Sequence, residues 1–100
     1  MANSTANPRL ISGEKTVASA GTAVAMVSGT TRATWVRIVA KAGNTNQVYV
    51  GGSDVADTTN DGLDAGQVLE FEHPLAFNLA DIYLDADTNG EGVDFYALKA

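Results

Sequence analysis

The sequence predicts a single all-β domain, an antiparallel β-sandwich of jelly-roll-like form with about eight short strands. Short segments rich in β-branched and apolar residues recur along the chain, and turn residues separate them roughly every eight to twelve residues. No segment keeps a helical period. A chain of 100 residues is the size of one domain, and sixteen of its apolar residues are alanines, so its core is modest.

The first thirteen residues are polar and lack periodicity, and they predict an extended N-terminal arm. The single β-sandwich domain is expected to occupy residues 14–100. Two interpretations of the arm stay open. It is either a frayed terminus or a segment that docks on a partner through Leu10 and Ile11.

Eight segments have the composition of strands. They are residues 15–19, 22–27, 32–41, 46–50, 53–56, 67–72, 81–85 and 93–98. Pro74 is expected to end the sixth of them, because proline cannot donate to a strand ladder.

The longest candidate strand, residues 32–41, alternates with a period of two. Val36 and Ile38 fall on one face and belong to the core, whereas Trp35, Arg37 and Lys41 fall on a face that is at least partly wet. The polar residues that follow favour a turn, so this strand and residues 46–50 are predicted to form a hairpin.

Charge is divided unevenly along the chain. Residues 1–50 carry five basic residues and one acidic residue, whereas residues 51–100 carry one basic and eleven acidic residues. An acidic half repels phosphate backbones, so we expect no nucleic-acid partner. The acidic residues form either a solvated face or a surface complementary to a neighbouring copy.

Several classes of site and location are disfavoured by composition. The chain has no cysteine, which excludes disulfides and thiolate chemistry. No apolar run approaches the roughly 20 residues that span a bilayer, so we expect no membrane partner and synthesis in the cytosol. We also expect no cofactor.

The candidates for chemistry are weak. His73 is the only histidine, and no nucleophile elbow or second histidine accompanies it, so we expect no enzyme. Asp85, Asp87 and Asn89 resemble the first half of a calcium loop, but Tyr96 stands where a bidentate glutamate belongs. An Asn-Gly hairpin turn is the favoured interpretation of that segment, and calcium the weaker one.

Five segments occur in an order that resembles small β-sandwich domains of tailed-bacteriophage structural proteins. They are residues 36–41, 46–53 with its Val48-Tyr-Val-Gly-Gly52 run, 62–69, 79–86 and 93–98. Because we expect the chain to consist of that domain and a short arm, with no fibre or baseplate module attached, it is most similar to capsid decoration, or cement, proteins.

The resemblance implies a non-enzymatic virion protein on the outer capsid surface, bound to the major capsid protein and stabilising the shell. Such proteins are typically trimers, so a homotrimer is expected. The alternative is a head-fibre or tail accessory module that binds a host surface or carbohydrate. The residues expected to contact the capsid or a neighbouring subunit are Arg9, Leu10, Ile11, Arg32, Trp35, Arg37 and Lys41.

Overall fold

The computed structural model describes residues 9–100 and confirms an all-β fold. Within that range the strands are β1 (Arg9–Thr16), β2 (Val24–Ala25), β3 (Arg32–Ala40), β4 (Val48–Gly51), β5 (Val68–Asn78), β6 (Tyr83–Ala86) and β7 (Gly92–Lys99). A 3-10 helix, Leu79–Asp81, joins β5 to β6. No helix among residues 9–100 is long and apolar enough to cross a membrane.

The strands form two antiparallel sheets whose apolar inner faces make one core, as the predicted sandwich requires. The four-stranded sheet has the order β1-β7-β3-β5, and the three-stranded sheet has the order β2-β6-β4. Odd-numbered strands therefore lie in one sheet and even-numbered strands in the other. Every connection between successive strands crosses from sheet to sheet.

The predicted hairpin between residues 32–41 and 46–50 is wrong for this reason. β3 and β4 belong to different sheets, and their connection is fixed by long-range hydrogen bonds. The Asn44 side chain donates to the Gly92 carbonyl over 2.9 Å and accepts from the Gly92 N–H over 3.3 Å. The Glu91 carboxylate accepts from the backbone N–H groups of Thr45 and Asn46. These bonds hold the connection against the loop that leads into β7.

The expected number of strands also differs by one. Seven strands lie within residues 9–100, because the predicted strand at residues 53–56 is a turn closed by the Val55 N–H on the Gly52 carbonyl. A single bridge between Val48 and Leu63 lies beside β4 instead. That bridge occupies the place where an eighth strand would complete a second four-stranded sheet, as in a jelly roll.

The core lies between the two sheets and is aliphatic with one buried phenylalanine. Val36 and Ile38 are fully buried, as their alternation in β3 predicts. The other large buried side chains of this cluster are Val17, Met26, Val48, Val50, Leu79, Leu84, Val93 and Phe95.

The predicted boundary between arm and domain at residue 13 falls inside β1. Residues 9–13 pair with β7 as the first part of an edge strand, and residues 1–8 lie outside the described residues. Ile11 packs against the core, which explains why this segment lies on its own sheet. The extended conformation expected for residues 9–13 is present, but their partner is the same chain.

Candidate functional site

The outer face of the four-stranded sheet carries an apolar row at one end. Strand register places Leu10 opposite Leu98, Leu98 opposite Trp35, and Trp35 opposite Glu72. Directly opposed residues share a face of a sheet, so these four side chains form a line across all four strands. Leu10 is 66% exposed, and Leu98 and Trp35 are half-buried.

A second, more polar row runs beside the first. It consists of Ser12, Tyr96, Arg37 and Glu70, one from each strand. The Trp35 indole Nε1 donates to Glu70 Oε2 over 3.1 Å and so links the two rows. Arg37 and Tyr96 are exposed, and neither forms an ion pair among the described residues. The free cation of Arg37 therefore lies next to two aromatic rings, Tyr96 in its own row and Trp35 in the apolar row.

At the opposite end of the same face, the charge of Lys41 is paired with carboxylates of the same chain. Lys41 Nζ lies 2.7 Å from Asp94 Oδ1 and 2.5 Å from Glu14 Oε1. The hydrogen bond to Asp94, followed by that to Glu14, raises the pKa of Lys41 above its usual value. Lys41 is thus paired with carboxylates of its own chain and is less available to form an ion pair with an acidic partner.

An excursion of β5 borders the apolar row. Residues His73, Pro74, Leu75 and Ala76 stand opposite the single residue Thr34, which is itself a bulge of β3. The strand therefore does not end at Pro74, as predicted, but bulges outward and resumes at residue 77. Proline and bulges are typical of edge strands, and β5 is the edge of its sheet.

Two hydrogen bonds hold this excursion. His73 Nδ1 accepts from the Leu75 N–H over 3.0 Å, and Arg32 donates to the Ala76 carbonyl over 2.9 Å. An open groove of about 800 Å³ runs between the excursion and the apolar row. Its lining residues are Thr34, Trp35, Glu72, His73, Pro74 and Leu98. His73 therefore holds a local backbone turn at the rim of this groove.

The predicted contact residues separate into three groups. Four share the outer face of the four-stranded sheet: Leu10, Trp35, Arg37 and Lys41. Ile11 points to the opposite, core side. Arg9 and Arg32 lie at the sheet end next to the apolar row, where Arg9 and Ala33 both pair with Lys99. Whether any of the seven contacts a partner stays a prediction.

Sequence reasoning did not identify Leu98 or the excursion of β5 as parts of this face. Leu98 alternates with Tyr96, but its face becomes known only once β7 is placed between β1 and β3. Pro74 next to His73 was the available signal for the excursion, since proline inside a strand pattern marks an edge or a bulge.

The weak calcium candidate is arranged as a structural junction. Asp85 is buried, and its Oδ1 accepts from the N–H groups of Gly21 and Ala86 over 2.9 and 2.8 Å. The Asn89 Oδ1 accepts from the Ala20 N–H over 2.7 Å. Among residues 9–100, no group of three or more acidic, histidine or cysteine side chains is placed to hold a metal. The segment is a turn, as favoured, but it crosses between sheets and closes no hairpin.

Asp87, the remaining residue of the calcium candidate, is held by Tyr49. The Tyr49 hydroxyl lies 2.9 and 3.0 Å from the two Asp87 carboxylate oxygens. Burial of Tyr49, together with this hydrogen bond, raises the pKa of its hydroxyl to about 12. Both oxygens of Asp87 thus accept from one neutral donor, an arrangement that ties β4 to the turn after β6.

No family model, curated protein or solved structure matches this chain.

Proposed function

We propose that this chain is a non-enzymatic virion structural protein, a phage capsid decoration or cement protein that binds the major capsid protein on the outer surface of the shell. The observation that carries the proposal is the outer face of the four-stranded sheet. It combines an apolar row of Leu10, Leu98 and Trp35 with the free cation of Arg37. Exposed apolar side chains rimmed by polar groups are typical of protein-docking surfaces.

The composition and the resemblance to phage sandwich domains support the same role. A small rigid sandwich with its function on one face needs no cofactor, and its acidic second half suits a surface that does not meet DNA. Binding at many equivalent capsid sites stabilises the assembled shell relative to its free subunits by mass action. Self-association into a homotrimer is part of this proposal.

Occupancy of isolated, undecorated capsids of the native phage tests the proposal. We expect the purified protein to bind and to raise the temperature at which the capsids lose their contents. The variant Arg37→Glu should weaken binding about tenfold or more, which corresponds to roughly 1.4 kcal/mol. Lys99→Glu makes the same charge change on the other face of the sheet and should bind normally. Absence of wild-type binding to capsids contradicts the proposal.

A second candidate function is favoured by one specific observation. Trp35 and Tyr96 lie in adjacent rows of the outer face, beside a groove that Glu72 and His73 line. Aromatic rings on a sheet face with flanking polar groups also suit a carbohydrate, so a module that binds a host surface is the alternative. Binding of the purified protein to glycans, lost in Tyr96→Ala and accompanied by no affinity for capsids, would favour this function over capsid decoration.

A further inference from the structure

Two places in the chain have a carboxylate or carboxamide side chain directly before a glycine, Asp61-Gly62 and Asn89-Gly90. In such a pair the glycine backbone nitrogen can attack the side-chain carbon Cγ of the preceding residue and close a succinimide ring. Glycine favours the reaction because it has no Cβ to crowd the nitrogen. By chemistry alone the Asn-Gly pair is the more reactive, since a carboxylate must gain a proton before its oxygen can leave.

Both reacting groups of the Asn89-Gly90 pair are hydrogen-bonded to the connection between β1 and β2. The Gly90 N–H donates to the Val17 carbonyl over 2.7 Å. The Asn89 Oδ1 accepts from the Ala20 N–H over 2.7 Å. The first bond directs the attacking nitrogen at Val17, and the second fixes the amide that it would attack. Both bonds have to open before the ring can close.

The Asp61-Gly62 pair has no such restraint. Asp61 is exposed, and neither its carboxylate nor the Gly62 N–H forms a hydrogen bond or an ion pair among residues 9–100. The chain is fixed again only at the next residue, where Leu63 exchanges two backbone hydrogen bonds with Val48. The nitrogen of Gly62 and the carboxyl of Asp61 are therefore free to meet in the folded protein.

Packing requires the glycine that makes Asp61 reactive. A Cβ built on Gly62 would stand 2.7 Å from the Gln47 Cβ, closer than two such atoms approach. Gln47 is itself held in place, because its Nε2 donates to Asp64 Oδ1 over 3.0 Å. A larger residue at position 62 would have to displace Gln47, so the fold retains the reactive pair.

We propose that Asp61 is a site of spontaneous isoaspartate formation in the folded protein, whereas the fold protects Asn89 from deamidation. The Gly62 nitrogen forms a bond to Cγ of Asp61, and the carboxyl oxygen leaves as water with the amide proton and a proton from solvent. Water then opens the succinimide. Cleavage of its bond to the Asp61 backbone carbonyl leaves the chain running through Cγ, which is isoaspartate, with no change in mass. The inference is independent of capsid binding.

Peptide mapping by mass spectrometry tests this contrast on the purified protein, incubated folded and in guanidinium chloride. Isoaspartyl peptides elute separately at unchanged mass, and deamidation of Asn89 raises the mass because hydroxyl replaces amine. In mildly acidic solution, isoaspartate should accumulate at position 61 of the folded protein. In mildly alkaline solution, folding should slow deamidation of Asn89 about tenfold or more, because local opening must come first. Asp61→Glu keeps the charge but disfavours the five-membered ring, and should abolish the product at this position.

Asp61→Asn gives the sharpest comparison, because it places two Asn-Gly pairs in one molecule. In the folded variant the introduced asparagine should deamidate about tenfold or more faster than Asn89, and denaturant should remove most of that difference. Near-ultraviolet circular dichroism checks that the variant is folded. Equal rates at the two positions in the folded variant overturn the protection of Asn89. Absence of isoaspartate at position 61 in folded wild type overturns the modification site.

Discussion

Gly13 of β1 lies directly against the aromatic ring of its register partner Phe95 in β7. A Cβ built on Gly13 would stand 2.6 Å from Phe95 Cζ, and Phe95 is buried. The ring thus covers the bare backbone of an edge strand, an arrangement in which the absent side chain of glycine makes room for the aromatic partner.

Gly13→Ala should therefore force the Phe95 ring out of its position in the core. We expect a loss of about 1–3 kcal/mol in the free energy of unfolding, the usual cost of overpacking. Gly43→Ala is the matched control, because no atom lies within 4 Å of a Cβ at that site. It should change the free energy by no more than about 0.5 kcal/mol. Equal effects of the two variants in urea unfolding would contradict this account of Gly13.

Leu10 and Ile11 are adjacent in sequence, but substitutions at the two positions should affect different properties, stability for Ile11 and binding for Leu10. Ile11 is half-buried against the core, whereas Leu10 is 66% exposed on the outer face. Ile11→Ala should lower the free energy of unfolding by about 1–2 kcal/mol, below the range for fully buried sites. Leu10→Ala should stay within about 0.5 kcal/mol in the same measurement.

The second half of that prediction concerns binding. Leu10→Ala should weaken capsid binding or self-association, because it removes exposed apolar area from the outer face and from the β1 edge.

Deletion of residues 1–13 should destabilise the domain, since it removes Ile11 and the first five residues of β1. If the variant that lacks residues 1–13 unfolds at the same urea concentration as wild type, β1 contributes little to the stability of the fold.

The alternation of β3 made the two faces of this strand predictable. Val36 and Ile38 are buried while Trp35 and Arg37 face outward, because a period of two fixes sides once a strand forms. The hairpin was not predictable from the turn residues at 43–46. A turn sequence reverses the chain but does not determine which sheet the next strand joins. Here the connection is held by the Asn44 side chain, which donates to the Gly92 carbonyl, and by the Thr45 N–H, which donates to the Glu91 carboxylate.

The candidate site was predictable only where alternation within one strand determines which residues share a face. Trp35, Arg37 and Lys41 share a face by alternation alone. The carboxylates that engage Lys41 come from β1 and β7, and their approach depends on strand order, which local sequence does not encode. The sequence predicts docking through both Leu10 and Ile11, although a strand sends consecutive side chains to opposite faces. Placing residues 9–13 in β1 separates their roles.

Asp85 should prove structural and indifferent to calcium. Its buried carboxylate accepts from the N–H groups of Gly21 and Ala86, so Asp85→Ala leaves a buried donor at Ala86 and a part-buried donor at Gly21 without their acceptor. We expect a loss of about 1–3 kcal/mol in the free energy of unfolding. Asp54→Ala, in an exposed loop, is the control and should have little effect.

Calcium itself supplies the complementary measurement. Millimolar calcium or a chelator should leave the unfolding temperature of wild type unchanged, because ligand binding to the native state would raise it. A rise in that temperature with calcium, abolished in Asp85→Ala, would establish the ion site that the hydrogen bonds argue against.

Tyr49 should make the stability of the domain depend on alkaline pH. Its hydroxyl donates to Asp87, and burial raises its pKa from 10.0 to about 12. The unfolded chain therefore loses this proton at a lower pH than the folded one. The contribution of Tyr49 is fully present below about pH 10 and is lost as the pH rises to about 12.

Tyr49→Phe isolates this contribution, since it keeps the buried ring and removes only the hydroxyl. At neutral pH it should lower the free energy of unfolding by roughly 1 kcal/mol, the typical net value of one hydrogen bond. Denaturant unfolding across alkaline pH should show the gap between wild type and Tyr49→Phe narrowing above about pH 10. A gap that stays constant up to about pH 12 would mean that the Tyr49 hydroxyl titrates alike in both states, and hence that Asp87 and burial do not hold its proton.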